Sequence, residues 1–157
     1  MTDDTQIIKC VILTLRKENV IIPNALVAEI ISVKEVVKSE NTPEWFLGNM
    51  NWRGEGVPLL SFEAAGGDEF SKVNLNTQAI VLYAVGKDGE DVESPYLGLV
   101  MSGVPHVSRF TRDQIVTDNE ELDYHHPMVA QKVRINGARV SILDVDAMVS
   151  LVQGLAA

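Results

Sequence analysis

Arg53 stands between Trp52 and Gly54 in the segment Asn51-Trp52-Arg53-Gly54-Glu55-Gly56, with apolar, strand-like residues on either side. A planar guanidinium at a tight turn can meet a carboxylate or a pair of carbonyls through two parallel hydrogen bonds, so this cation is suited to directed recognition. A turn arginine that bonds its own loop has the same spacing, and the sequence leaves both readings open. Other reactive side chains lack the company that chemistry needs. His125 and His126 beside Asp123 lack a third ligand at an established spacing, and neighbouring residues on an extended segment point to opposite faces, which reads as a surface loop. His106 sits in the strand-like Val104-Pro105-His106-Val107, unlike a phosphoacceptor on a helix, and Ser102 lacks the Gly-x-Ser-x-Gly elbow of a hydrolase. Cys10 lies in an apolar run with nothing near it in sequence to favour a thiolate, so it reads as a small core residue. These residues give no catalytic group, no metal site and no cofactor site, and the expected activity is binding rather than catalysis.

One string has to be weighed separately. Gly66-Gly67-Asp68-Glu69-Phe70 spells the signature of diguanylate cyclases, where it resembles a hairpin turn between apolar strands with further acids upstream for the metal. Here it follows Glu63-Ala64-Ala65 and precedes Ser71-Lys72-Val73-Asn74, with no Asp-x-Asp-x-Phe segment before it, so it reads as a Gly-rich connector. A degenerate cyclase-like protein is the alternative, and incubation with GTP and Mg²⁺ separates the two. A receiver domain would need paired acids after the first strand and alternating parallel βα units, which the chain does not have.

The chain has 157 residues, 46% hydrophobic and 22% charged, enough to bury the core of a single globular domain without staples. Thirteen Lys and Arg against twenty-two Asp and Glu give a formal net charge of −9, which repels phosphate and argues against nucleic acid or an anionic membrane as partner. A single cysteine cannot form an internal disulfide. The opening Met1-Thr2-Asp3-Asp4 has no basic or apolar leader, and no run approaches the roughly 18 apolar residues of a membrane span. A cytoplasmic location with no direct membrane insertion is expected.

Something must hold Arg53 in place, and the pattern around it is mostly β. Residues 7–15 are rich in β-branched side chains and end in a polar turn, with residues 20–22 as the hairpin partner. Pro23 stops that strand, and Asn24 is expected to cap a short helix carrying Leu26, Val27, Ile30 and Ile31 on one face. Strands are expected over residues 33–37, from Trp45 to Trp52, and from Val57 to Leu60, where Pro58 argues for a sheet edge or a bulge. Residues 63–76 read as a connector. Strands follow over residues 79–85, 96–101 and 104–110, then a hairpin around Asn136-Gly137, whose two positions both accept left-handed geometry. Asp144 should cap a terminal helix with Val145, Met148, Val149 and Val152 on one face, closed by Gly154 and packed onto a barrel. Many short strands without βα alternation predict a mainly antiparallel β fold: one domain over 1–157, with small barrels built from halves at roughly 7–65 and 77–153. No strict sequence repeat is visible.

Pro43, Phe46, Gly48, Asn51, Arg53, Gly54, Val57 and Pro58 together resemble the central signature of the CheW-like domain. Val27-Ala28-Glu29-Ile30, Leu97-Gly98-Leu99-Val100 and Ser141-Ile142-Leu143-Asp144-Val145 resemble further elements of that family in the right order, so the likeness runs from Ile7 to about Val152. The resemblance implies a mainly β fold of two SH3-like five-stranded β-barrel subdomains sharing a core, with short helices including a C-terminal one. It implies a chemosensory signalling adaptor that joins the cytoplasmic helices of chemoreceptors to a CheA-type histidine kinase, a receptor helix lying in a groove between the barrels. Val27, Glu29, Gly48 and Arg53 match positions associated with receptor binding, and Asn51 and Gly54 complete the candidate set; kinase-contacting residues are not assigned. The chain departs from the family at Ser61 and Ser102, where acids are usual, which the resemblance reads as a divergent member serving a pilus-type or other alternative chemosensory system.

Overall fold

β-Branched and aromatic runs separated by short polar turns form twelve strands in the computed structural model, which describes residues 6–15, 19–38, 40–66, 77–84, 96–101, 104–117 and 126–155. In chain order they are β1 (Ile7–Thr14), β2 (Asn19–Pro23), β3 (Val27–Ser32), β4 (Val36–Val37), β5 (Phe46–Trp52) and β6 (Glu55–Leu60), then the short helix α1 (Phe62–Ala65). They continue as β7 (Gln78–Tyr83), β8 (Tyr96–Met101), β9 (His106–Thr111), β10 (Ile115–Thr117), β11 (Val129–Ile135) and β12 (Ala138–Leu143), closed by α2 (Val145–Leu155).

The strands make two six-stranded sheets, ordered β10-β11-β12-β2-β1-β9 and β3-β7-β8-β6-β5-β4. In each sheet the two end strands are consecutive in the chain. A 3-10 turn at Arg112–Gln114 joins β9 to β10, and Val33, Lys34 and Glu35 join β3 to β4. Ends tied together by three residues roll the sheet on itself. Counted with each bent pair as one strand, these are the two five-stranded, SH3-like barrels expected from the sequence.

The barrels are not built from successive halves of the chain. The first takes the β1-β2 hairpin and β9 to β12; the second takes β3 to β6 and the β7-β8 hairpin. Each half therefore runs hairpin, then four further strands, then a helix, and lends its hairpin to the barrel formed by the other half. The correspondence reaches single residues. Phe46 pairs with Leu60 and Val129 with Leu143; a bulge follows at Phe46/Gly48 and at Val129/Gln131. The connecting turns carry positive φ at Arg53 (50°) and Gly54 (78°), and at Asn136 (51°) and Gly137 (85°). A parallel pairing, β6 with β8 and β12 with β2, completes each barrel. The repeat is invisible in the letters because packing constrains only the apolar phase, the turn conformation and the helix cap.

Alternation along the strands separates three interiors. Ile21, Val133, Ile135 and Val140 fill the first barrel. Val33, Leu47, Met50, Trp52, Val57, Leu59, Ala79, Val81 and Val100 fill the second. The opposite faces of the same strands, including Val11, Leu13, Val20, Ile22, Leu60, Ile80, Leu82, Leu97 and Leu99, meet between the barrels in a shared core. β7 is buried on both sides, with Ala79 and Val81 in one interior and Ile80 and Leu82 in another, which is why its sequence is continuously apolar rather than alternating.

Three expectations change, and the one at Pro58 is met in one of its two alternatives. Asn24 caps no helix: a 3-10 turn at Asn24–Leu26 leads directly into strand β3, which pairs with β7. A bulge between Val27 and Glu29 shifts the apolar phase by one residue, so a strand presents helix-like spacing. Of residues 33–37 only Val36–Val37 is strand, and Val33 turns into the second barrel. Of the edge or bulge expected at Pro58, the structure has the bulge, between Phe46 and Gly48 of the partner strand; β6 itself lies between β5 and β8 and pairs with β8 from Leu59, one residue beyond the proline. Gly154 lies within α2 rather than beyond it. The helix itself is capped as expected, Asp144 Oδ1 accepting from the Ala147 N–H at 3.0 Å, and Val145, Met148 and Val149 enter the core shared by both barrels. Ser61 does the same for α1, its hydroxyl accepting from the Ala64 N–H at 3.1 Å, so a serine fills the cap without a charge.

Candidate functional site

The β5-β6 hairpin fixes the position of Arg53. Its two turn residues both adopt left-handed φ, the geometry that follows the twist of the flanking strands, and the Gly54 N–H donates to Asn51 Oδ1 at 3.1 Å. Trp52, the last residue of β5, points into the second barrel and is only 8% exposed. The Arg53 guanidinium lies over its indole, 4.8 Å from the ring centroid, and Tyr96 meets the ring edge-on with centroids 4.7 Å apart.

Glu29 arrives from β3. In the order of the sheet, β3 and β5 are separated by three strands, and they meet because the sheet rolls up. Glu29 Oε2 accepts from the Trp52 indole N–H at 2.7 Å and pairs with an Arg53 guanidinium nitrogen at 3.2 Å. With side chains 69% and 39% exposed, Arg53 and Glu29 form a surface ion pair of at most about 1 kcal/mol, so its value lies in orientation rather than stability. The pair stands over a groove of about 430 Å³ with residues 29–34 on one wall and residues 50–53 on the other. Ile30 is open to solvent on the first wall, while Met50 and Trp52 on the second are nearly buried, so the groove's accessible surface is mixed, with Glu29, Lys34, Asn51 and Arg53 among its lining. The arrangement can hold an apolar side chain in the groove while two opposite charges fix the polarity of whatever carries it.

The sequence candidates divide. Glu29, Asn51 and Arg53 line this groove, and Gly54 completes the turn that holds Arg53. Arg53 does not bond its own loop; its ionic partner is a residue on a different strand. Gly48 is buried beneath β4 at φ 129°, where a Cβ would lie 2.6 Å from the Val37 carbonyl oxygen, so its role is local architecture. Val27 precedes the β3 bulge and packs against the shared core. It adjoins a second concavity of about 350 Å³ that does lie between the barrels, lined by Leu26, Tyr83, Ala130, Leu143 and the first residues of α2. Groove and inter-barrel cleft are thus two places, joined along β3.

Trp52 was not among the candidates. The signal was present, since a tryptophan buried in a strand needs a partner for its N–H, but its partner lies 23 residues away across the barrel seam. Tyr96 and Tyr83, with ring centroids 5.8 Å apart, continue the aromatic row from Trp52 toward the inter-barrel cleft.

His126 differs from the surface-loop reading. It is 1% exposed and stacked on Phe62 with centroids 3.8 Å apart. Its Nδ1 accepts from the Met128 N–H at 2.9 Å, so Nε2 carries the proton that is donated to the Phe62 carbonyl at 2.7 Å. Both ring nitrogens are used in linking α1 to the approach of β11. Asp123, His125, Ser102 and residues 67–70 of the Gly66–Phe70 string lie outside the described residues. Cys10 is buried in β1, and burial pushes its thiol above the usual range. Among the described residues no group of three His, Cys, Asp or Glu is placed to hold a metal, and no helix is long and apolar enough to cross a membrane.

The crystal structure of the scaffolding protein TtCheW from Thermoanaerobacter tengcongensis matches with a TM-score of 0.69 at 18% identity, covering 88% of this chain and 89% of that one. At that identity the likeness establishes the shared fold. No curated protein sequence matches. A family model described as the CheW-like domain matches residues 9–153, from β1 into α2, and the chain therefore belongs to the CheW-like domain family.

Proposed function

We propose that this protein is a non-enzymatic chemosensory adaptor that binds the cytoplasmic helices of chemoreceptors and couples them to a CheA-type histidine kinase in the cytoplasm. The observation that carries the reading is the Glu29–Arg53 pair set over a groove of mixed polar and apolar lining. An amphipathic helix laid there buries apolar surface against the exposed Ile30, while the two charges select its direction. Val27, farther along β3, extends the contact toward the inter-barrel cleft; Asn51 and Gly54 act by holding the turn. Gly48 supports the same surface from beneath by letting β4 approach β5. Ser61 and Ser102, which stand where the family usually has acids, fit a divergent member serving a pilus-type or other alternative chemosensory system.

The test is binding of the purified protein to coiled-coil receptor-tip fragments and to the regulatory domain of CheA-type kinases from the same source, separately and together. A ternary complex whose receptor arm is lost in Arg53→Glu is expected. Failure to bind any receptor or kinase fragment at concentrations up to hundreds of micromolar would overturn the reading.

A further inference from the structure

Two groups share one carboxylate oxygen in the groove, and they differ in mobility. Trp52 is locked: its ring is almost fully buried, held edge-on by Tyr96 at 4.7 Å, and belongs to the core of the second barrel. Arg53 sits on an exposed turn with a long side chain over that ring. Both converge on Glu29 Oε2, the indole at 2.7 Å and the guanidinium at 3.2 Å. The shorter contact comes from the immobile partner.

We infer that Trp52 is the positioning residue of this site: its indole N–H holds the Glu29 carboxylate in place so that Arg53 can leave it for an acidic side chain of the bound helix. An exposed ion pair opens at little cost, and a carboxylate that keeps the Trp52 N–H stays oriented when the guanidinium leaves it. With Trp52 retained, Glu29 keeps a charge-assisted hydrogen bond while the guanidinium swings outward over the indole. The ring face already lies under the cation and stays in contact with it during the exchange. The surface therefore presents one fixed anion and one transferable cation. This deepens the adaptor reading and rests on it for the identity of the bound helix, but not for the roles of the three residues.

Proton-nitrogen NMR of the indole N–H groups decides between the parts. Trp52 and Trp45 signals are assigned with Trp45→Phe, which leaves the site untouched. A downfield, slowly exchanging Trp52 N–H is expected in the parent protein, unchanged in Arg53→Ala and lost in Glu29→Ala. Loss of the signal in Arg53→Ala would show that the arginine holds the carboxylate, and would overturn the inference. In binding to receptor-tip fragments, Trp52→Phe should weaken affinity by roughly three- to tenfold and have no further effect in the Glu29→Ala background. Equal losses in both backgrounds would mean that Trp52 acts by packing alone and would also overturn it. Should Trp52→Phe fail to fold, the Glu29→Ala and Arg53→Ala spectra still decide. If the parent protein binds no fragment, the adaptor reading fails while the NMR outcome stands.

Discussion

The Trp52 indole N–H and the Glu29 carboxylate meet at 2.7 Å across the seam where the second barrel closes. The bond ties the first wall of the groove to the second, and it ties the geometry of the ion pair to the closure of the sheet. The proposed recognition surface and the fold thus share a contact, so variants that separate the two are the informative ones.

Arg53→Asn separates them. Its turn counterpart is Asn136, at nearly the same φ, and asparagine tolerates left-handed backbone better than arginine does. Unfolding in urea should show stability within about 0.5 kcal/mol of the parent protein. Binding to receptor-tip fragments should fall by about tenfold or more, since the guanidinium is lost. A large loss of stability would assign Arg53 to the turn rather than to recognition.

Gly48→Ala should act in the opposite way. A methyl group there would lie 2.6 Å from both the Val36 side chain and the Val37 carbonyl oxygen, at a φ that side-chained residues avoid. Destabilisation of roughly 2 to 4 kcal/mol is expected from strain and crowding combined. Any loss of binding should track the unfolded fraction and disappear when measured on folded protein at low temperature.

His126→Ala removes a buried ring that serves Phe62 and Met128 at once. The Met128 N–H would lose its partner, the Phe62 carbonyl would keep only the Gly66 N–H, and the stacked face of Phe62 would lose its cover, for a cost of roughly 2 to 5 kcal/mol. Thermal unfolding followed by circular dichroism measures it. A cost below about 1 kcal/mol would show that the ring is dispensable to the join.

Asp144→Ala should lower stability by about 1 kcal/mol through loss of the α2 cap, and Asp144→Ser should recover most of it, because Ser61 performs the equivalent task for α1. Denaturant midpoints of the two variants give the comparison directly. A serine no better than alanine would show that the carboxylate acts through its charge at the helix end rather than as an acceptor.

The Cys10 thiol, raised by burial, should react with a disulfide reagent only as fast as the protein opens. Above the ordinary thiol range the unfolded chain loses its proton while the folded chain keeps it, so stability should fall as pH rises from that range toward the higher folded value. Cys10→Ala should flatten this part of the pH profile. Rapid modification of the native protein near neutral pH would contradict the buried placement.

Strand content, the Asn136-Gly137 turn and the face of α2 were legible in the sequence because each is set by residues close together: alternation, a turn dipeptide, and apolar spacing behind a cap. β3 misled because a single bulged residue converts alternation into helix-like spacing. Pro58 was legible in part: it marks no edge, but the ladder it belongs to carries a bulge, between Phe46 and Gly48 of β5. In the site, Arg53 and Glu29 could be named from family likeness, yet their pairing could not, since it spans the barrel seam. Trp52 escaped notice for the same reason. His126 looked like a loop residue because its partners, Phe62 and Met128, lie one far upstream and one on the strand approach, with no local pattern to announce a buried ring.

The exchange of hairpins between the two halves means that severing the backbone between residues 67 and 76 would not release two modules. Each piece would carry a hairpin that completes the other's barrel, so the nicked molecule should stay interlocked, elute at its original size, and come apart only on denaturation.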